Sequence, residues 1–138
     1  MSVKFSDFAA LVLRVGFGLN MLIGHGLSKF QTLISGDEIN FPSVLGFSPS
    51  VALGLAVFGE FIACIFIVLG LKTRLASVPI ILTMAIAAFV IHGPDPWFSM
   101  GAESGSKEMA ILYLLGFLVI YMMDSGKYSL DHRLDNGL

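Results

Sequence analysis

The sequence is short of charge. Of 138 residues, 13% are Asp, Glu, Lys or Arg, where a soluble domain usually carries about a quarter. Hydrophobic residues make up 56% and the mean hydropathy is +0.86. A chain this small has too much surface to hide that apolar content from water, so part of its solvent is lipid. Cations are scarce as well. With a net charge of −2 there is no basic stripe to neutralise phosphates, which excludes nucleic acid as a partner. Cysteine is nearly missing. Cys64 stands alone in an apolar run, so no disulfide framework can form within the chain, and Cys64 reads as a small core or lipid-facing residue. There is no glycine-rich phosphate loop, no Cys-x-x-Cys and no His-Glu-x-x-His. No metal site is expected, since the histidines sit in different segments at unrelated spacing. Repeats and low-complexity tracts are absent too, and residues 1–138 read as a single transmembrane domain.

What is there are four apolar segments. Crossing a bilayer takes roughly 20 mostly apolar residues, with about 17 the lower end. Segments at about 7–27, 50–71, 75–92 and 108–123 approach or meet that length, the last being the shortest. Lys4 ahead of the first segment resembles the start of a signal peptide. Asp7 and Arg14 interrupt that pattern and no small-x-small cleavage site follows, so the segment is expected to be retained. The expected fold is all-α: an integral membrane four-helix bundle.

The connections differ in character. Lys72-Thr73-Arg74 is a tight cationic turn that makes the second and third segments an antiparallel hairpin. Residues 28–49 are amphipathic and broken by Gly36, Pro42, Gly46 and Pro49. A connection that long usually has structure or a job. It is read as a short interfacial helix or re-entrant segment, with Phe30, Phe41 and Phe47 dipping into the headgroup region. Gly93-Pro94-Asp95-Pro96-Trp97 reads as a turn at the water boundary, with Trp97 and Phe98 in an aromatic belt. Four crossings put the N-terminus, the 72–74 turn and the C-terminal tail on one side. That side holds Lys4, Lys72, Arg74, Lys127 and Arg133, against Lys29 and Lys107 opposite, which makes both termini cytoplasmic by the positive-inside rule. Packing in lipid relies on small residues that let backbones approach. Gly16, Asn20 and Gly24 fall on one face of the first segment, and Ala52, Ala56, Gly59 and Ala63 mark the second. So many glycines favour further association into a homo-oligomer.

Ionisable residues inside lipid carry the most information. An Arg or Asp at the centre of a span costs about 2.5–3.5 kcal/mol on insertion scales, and such groups face the bundle interior and pair. Arg14 and Glu60 are the clear cases. At a rise of about 1.5 Å per residue they sit ~10 Å and ~16 Å from the cytoplasmic ends of their helices, a difference an arginine can span. They are expected to pair directly or through water. Such a pair either fixes helix register or acts on protons or a ligand in a polar cavity. A second group gathers at the outer face, where His25, His92 and Glu108 lie near one level and Lys29 follows His25 by one turn. These three are either a functional cluster or ordinary interfacial polarity. Glu108 also suits the positive end of its helix dipole. Two histidines on facing helices could ligate a haem iron, but His25 and His92 are too close to the boundary to enclose a macrocycle, so haem is disfavoured.

Taken in order, these residues resemble the DoxX family. Arg14-x-Gly16-x-Gly18 and His25-Gly26-x-x-Lys29 are similar to its first-helix signature. Gly54 to Glu60 and Gly70-Leu71-x-Thr73-Arg74 are similar to its second helix and cationic turn. His92, then Glu108 with Tyr113, fit the end of its third helix and the start of its fourth. Gly126-Lys127-Tyr128-Ser129-Leu130-Asp131 resembles its C-terminal tag. Asp37-Glu38 departs from the pattern by its polarity. The tag also has a plain structural reading, with Gly126 stopping the fourth helix and Asp131 capping a following turn.

The resemblance implies a multi-pass protein of the inner (plasma) membrane. It implies association with quinone-linked respiratory enzymes, such as terminal quinol oxidase and thiosulfate:quinone oxidoreductase, or with soluble redox partners. On that basis quinone is the expected cofactor, with Arg14, His25, Glu60, His92 and Glu108 as candidates for ligand contact or proton relay. No catalytic residue is assigned. A non-enzymatic scaffold docking soluble redox proteins and a carrier of a small hydrophobic compound stand as alternatives.

Overall fold

A computed structural model describes residues 3–100 and 105–137. Three helices are long and apolar enough to cross a membrane: α1 (Phe5–Ser35), α2 (Pro49–Leu69) and α3 (Thr73–Ile91). A shorter apolar helix, α4 (Glu108–Met123), packs with them, and a short α5 (Leu130–Asp135) follows. The result is the all-helical membrane bundle that the sequence implies. Its core gathers Met21, Cys64, Ile67, Ile80, Met84, Phe117 and Ile120. Large side chains such as Phe8, Leu75 and Met122 point outward, as they should where the surrounding solvent is hydrocarbon.

Helix ends follow local chemistry. α2 begins with Ser48 as its cap, whose hydroxyl accepts from the Val51 amide, and with Pro49 in the first turn, where a missing N–H costs nothing. It ends at Gly70, which takes the left-handed conformation at φ 70°. Gly36 at φ 76° stops α1 in the same way.

That stop lies later than the sequence suggests. The expected interfacial helix after residue 28 is no separate element, because the chain from Leu27 to Ser35 continues α1. Leu27 to Ser35 contains no Gly or Pro, so nothing ends the helix before Gly36. Segment 37–48 is non-helical and closes with a tight turn between Val44 and Phe47.

The bundle's register rests on Gly59, as expected, but on different glycines of α1 from those expected. Gly16 and Gly24 face open space, with nothing within 4 Å of an added Cβ. The close approaches belong to the other face of α1. A Cβ on Gly18 would lie 2.6 Å from the Val68 side chain, and one on Gly26 2.2 Å from the Glu60 carbonyl oxygen. Gly59 meets Thr83 and Pro79 of α3, and Gly116 of α4 receives the Phe17 ring.

Candidate functional site

Three helices widen around one cavity. α1 forms π-type turns over Leu22–Gly26, α2 over Phe58–Ala63 and α3 over Ala87–Ile91. A π-turn inserts an extra residue and re-aims the side chains around it, and such turns concentrate at functional sites. His25 lies in the first, Glu60 in the second, and His92 follows the third.

Between them is a cavity of about 320 Å³, within the range of small-molecule pockets. His25, Lys29, Glu60, His92 and Tyr113 are among its polar residues, with Thr83 and Ser106. Apolar walls come from the helices through residues such as Met84 and Met109, and from segment 37–48 through Phe41, Leu45 and Phe47.

Glu60 pairs with Lys29. The Lys29 Nζ donates to Glu60 Oε2 at 2.5 Å, with side chains 25% and 5% exposed. Backbone contact makes this possible. Gly26 touches Glu60, and Lys29 lies nearly one turn further along the same helix. The Phe30 ring stacks on Phe61 beside the pair, with centroids 4.5 Å apart and planes 4° from parallel. His25, one turn before Lys29, meets the Tyr113 ring edge-on, with centroids 5.6 Å apart. After α3, His92 Nδ1 lies 2.7 Å from Asp95 Oδ2.

Two candidates fall outside this cavity. The expected Arg14–Glu60 pair does not form. Arg14 is fully buried, but its Nη1 donates to the carbonyls of Ile67 and Val68 at 3.1 and 3.2 Å, and its Nη2 to that of Tyr128 at 2.6 Å. It bonds backbone acceptors in the last turn of α2 and ties the C-terminal segment to the bundle. The packed register separates the two charges, since Gly26, not Arg14, is the α1 residue against Glu60. Gly26 lies roughly 18 Å further along the helix than Arg14. Glu108 is the other outlier. Its Oε2 accepts from the exposed Ser99 amide at 3.3 Å, and it does not line the cavity.

The C-terminal tag is built into the same end of the molecule as Arg14. Asp131 accepts from the amides of Lys72 and Thr73 at 2.7 and 3.2 Å. It therefore caps the start of α3, not a turn that follows it. The Lys127 amide donates to Asp7 Oδ1 at 3.2 Å.

Sequence reasoning named His25, Glu60 and His92, and left Lys29, Asp95 and Tyr113 without a role in the site. Lys29 carried a signal in its position one turn after His25, which places both on one face if the helix runs on. Asp95 carried none, because its role depends on a loop folding back.

The DoxX family model matches residues 9–93, well over half of the chain. The chain belongs to the DoxX family. A protein of Haemophilus influenzae described as uncharacterized is 34% identical over 119 residues, covering 82% of this chain and 81% of its own length. No solved structure matches. Arg14, His25, Lys29, Glu60 and His92 fall inside the span that matches the DoxX model, whereas Tyr113 of the cavity and the Tyr128 carbonyl of the Arg14 fork lie beyond it.

Proposed function

We propose that this DoxX protein binds a small neutral headgroup of quinone type in the cavity between α1, α2, α3 and α4, as an accessory subunit of a membrane oxidoreductase system. The observation that carries the reading is the Lys29–Glu60 pair set in a largely apolar cavity to which three π-turns contribute residues. Its charges cancel, so a neutral guest leaves no uncompensated ion behind. A quinone ring needs apolar walls and a hydrogen-bond partner for each oxygen. Met84 and Phe47 help to form the walls, while Lys29, His25 and His92 offer polar contact. Histidine and carboxylate groups near a bilayer edge also suit proton exchange. In this proposal the protein sits in the inner membrane, crosses it four times and keeps both termini in the cytoplasm. The cavity then opens toward the outer face.

The test is to purify the protein in mild detergent and identify the co-extracted lipids, alongside respiration of Glu60→Gln and His25→Ala strains. Quinone held at near-stoichiometric amount by wild type and lost in the variants is the expected result. No quinone, together with unchanged respiration, sinks the reading.

One observation favours a docking role as a second reading. The C-terminal segment is held firmly, yet Tyr128 and Leu134 remain more than half exposed. A scaffold predicts that Tyr128→Ala abolishes crosslinks to soluble partners while Glu60→Gln leaves them intact.

A further inference from the structure

His92 closes α3 at φ −90° and ψ 16°, and the turn at Gly93-Pro94 brings Asp95 back onto its ring. The Asp95 amide donates to the His92 carbonyl at 3.0 Å, while the Asp95 carboxylate meets His92 Nδ1 at 2.7 Å. Backbone and side chain thus hold the same two residues together. The approach to α4 closes over them. A Cβ on Gly105 would lie 2.9 Å from Asp95 Oδ2 and 3.3 Å from His92 Nδ1, and the Lys107 amide donates to the Pro96 carbonyl at 3.0 Å. His92 lines the cavity whereas Asp95 does not. The carboxylate therefore approaches the ring from behind.

A carboxylate can only accept, so it selects the imidazole tautomer with the proton on Nδ1, and a neutral imidazole then has a bare lone pair on Nε2. We propose that Asp95 is a positioning residue that fixes His92 as a hydrogen-bond acceptor, so that the cavity selects guests bringing a hydroxyl donor, of phenol or quinol type, over the matching ether or carbonyl. This rests on the cavity reading above and deepens it by naming the form of headgroup that fits. Lys29, which can only donate, suits an acceptor oxygen on the other side of the same ring. Among the described residues, the other charged and titratable groups of this region have contacts of their own. Glu60 holds Lys29, His25 faces Tyr113, Lys107 lies over the Trp97 ring at 5.3 Å, and Glu108 binds the Ser99 amide.

The experiment uses the full chain in mild detergent at pH 8. The probes are 4-pentylphenol and its methyl ether, which share an apolar body and differ in the donor. Wild type should bind the phenol about fivefold more tightly, and 15N spectra of labelled histidine should show His92 protonated on Nδ1. Asp95→Asn, whose amide can donate as well as accept, should mix the tautomers and erase the preference. Gly105→Ala should do the same with both dyad side chains present, which keeps the test valid if Asp95→Asn does not fold. Equal binding of the two probes by wild type, or a preference that survives in both variants, overturns the proposal and leaves the cavity reading intact. Failure of wild type to bind either probe removes both.

Discussion

Glu60 shows how tightly a single residue's surroundings are constrained in a bundle of this kind. Its carboxylate is nearly closed off from solvent, and its charge is met by Lys29 alone among the described residues. Breaking a buried ion pair by removing one partner costs about 3–5 kcal/mol, mostly because the other charge is stranded. Lys29 is a quarter exposed, so the loss should fall at the lower end of that range. Glu60→Gln and Lys29→Met are therefore each expected to destabilise the protein by about 3 kcal/mol, and the double variant by less than either. Thermal unfolding of the four proteins in one detergent checks this. A double variant as unstable as the sum of the singles means the two charges do not compensate one another. Arg14 teaches a complementary lesson. Its burial was legible because a cation within an apolar run must turn inward. Its partner was not, since three main-chain carbonyls serve a guanidinium as well as a carboxylate does, and carbonyls leave no trace in a sequence.

At the scale of elements, glycines divide into those that set helix spacing and those that do not. Gly26→Ala drives a methyl into the Glu60 backbone and is expected to cost about 1–3 kcal/mol as α1 and α2 move apart. Gly16→Ala and Gly24→Ala meet nothing and should be neutral or gain up to about 1 kcal/mol from better helix propensity. The same unfolding assay separates the three. The two sets belong to opposite faces of one helix, and four-residue spacing alone cannot say which face meets the bundle. The C-terminal segment is the other element with a decided role. Asp131→Ala removes an acceptor from two amides at the start of α3, with an expected loss of about 1 kcal/mol. Arg14→Met releases the Tyr128 carbonyl and should expose the tail, so that limited proteolysis cuts near residue 128 faster than in wild type. An unchanged cleavage rate means the Arg14 fork does not hold the tail.

For the whole molecule, helix length matters most. α1 reaches about 46 Å and α4 about 24 Å at 1.5 Å per residue, against a hydrocarbon core of roughly 30 Å. The long helix therefore projects beyond the short one. Its far end carries Lys29 and Phe30 beside the cavity, with segment 37–48 folded over the opening. The proposed topology makes a direct prediction for cells treated with a membrane-impermeant thiol reagent. Cys64 is fully buried and should stay silent. Asp37→Cys should label in intact cells, and Arg74→Cys and Asp135→Cys only after permeabilisation. Labelling of all three in intact cells rules out four crossings with cytoplasmic ends.

Residue order alone determined the solvent, the helical class, three of the four principal helices to within a few positions, and the identity of the residues that had to be sheltered. Those properties follow from the energy of transferring each side chain into lipid, which is local and additive along the chain. Only the tertiary structure decided which sheltered group meets which. It set Glu60 against Lys29, placed Arg14 at the opposite end, and folded Asp95 behind His92. Those pairings depend on the axial register of packed helices and the path of a loop, and both are fixed by the contact of surfaces far apart in sequence.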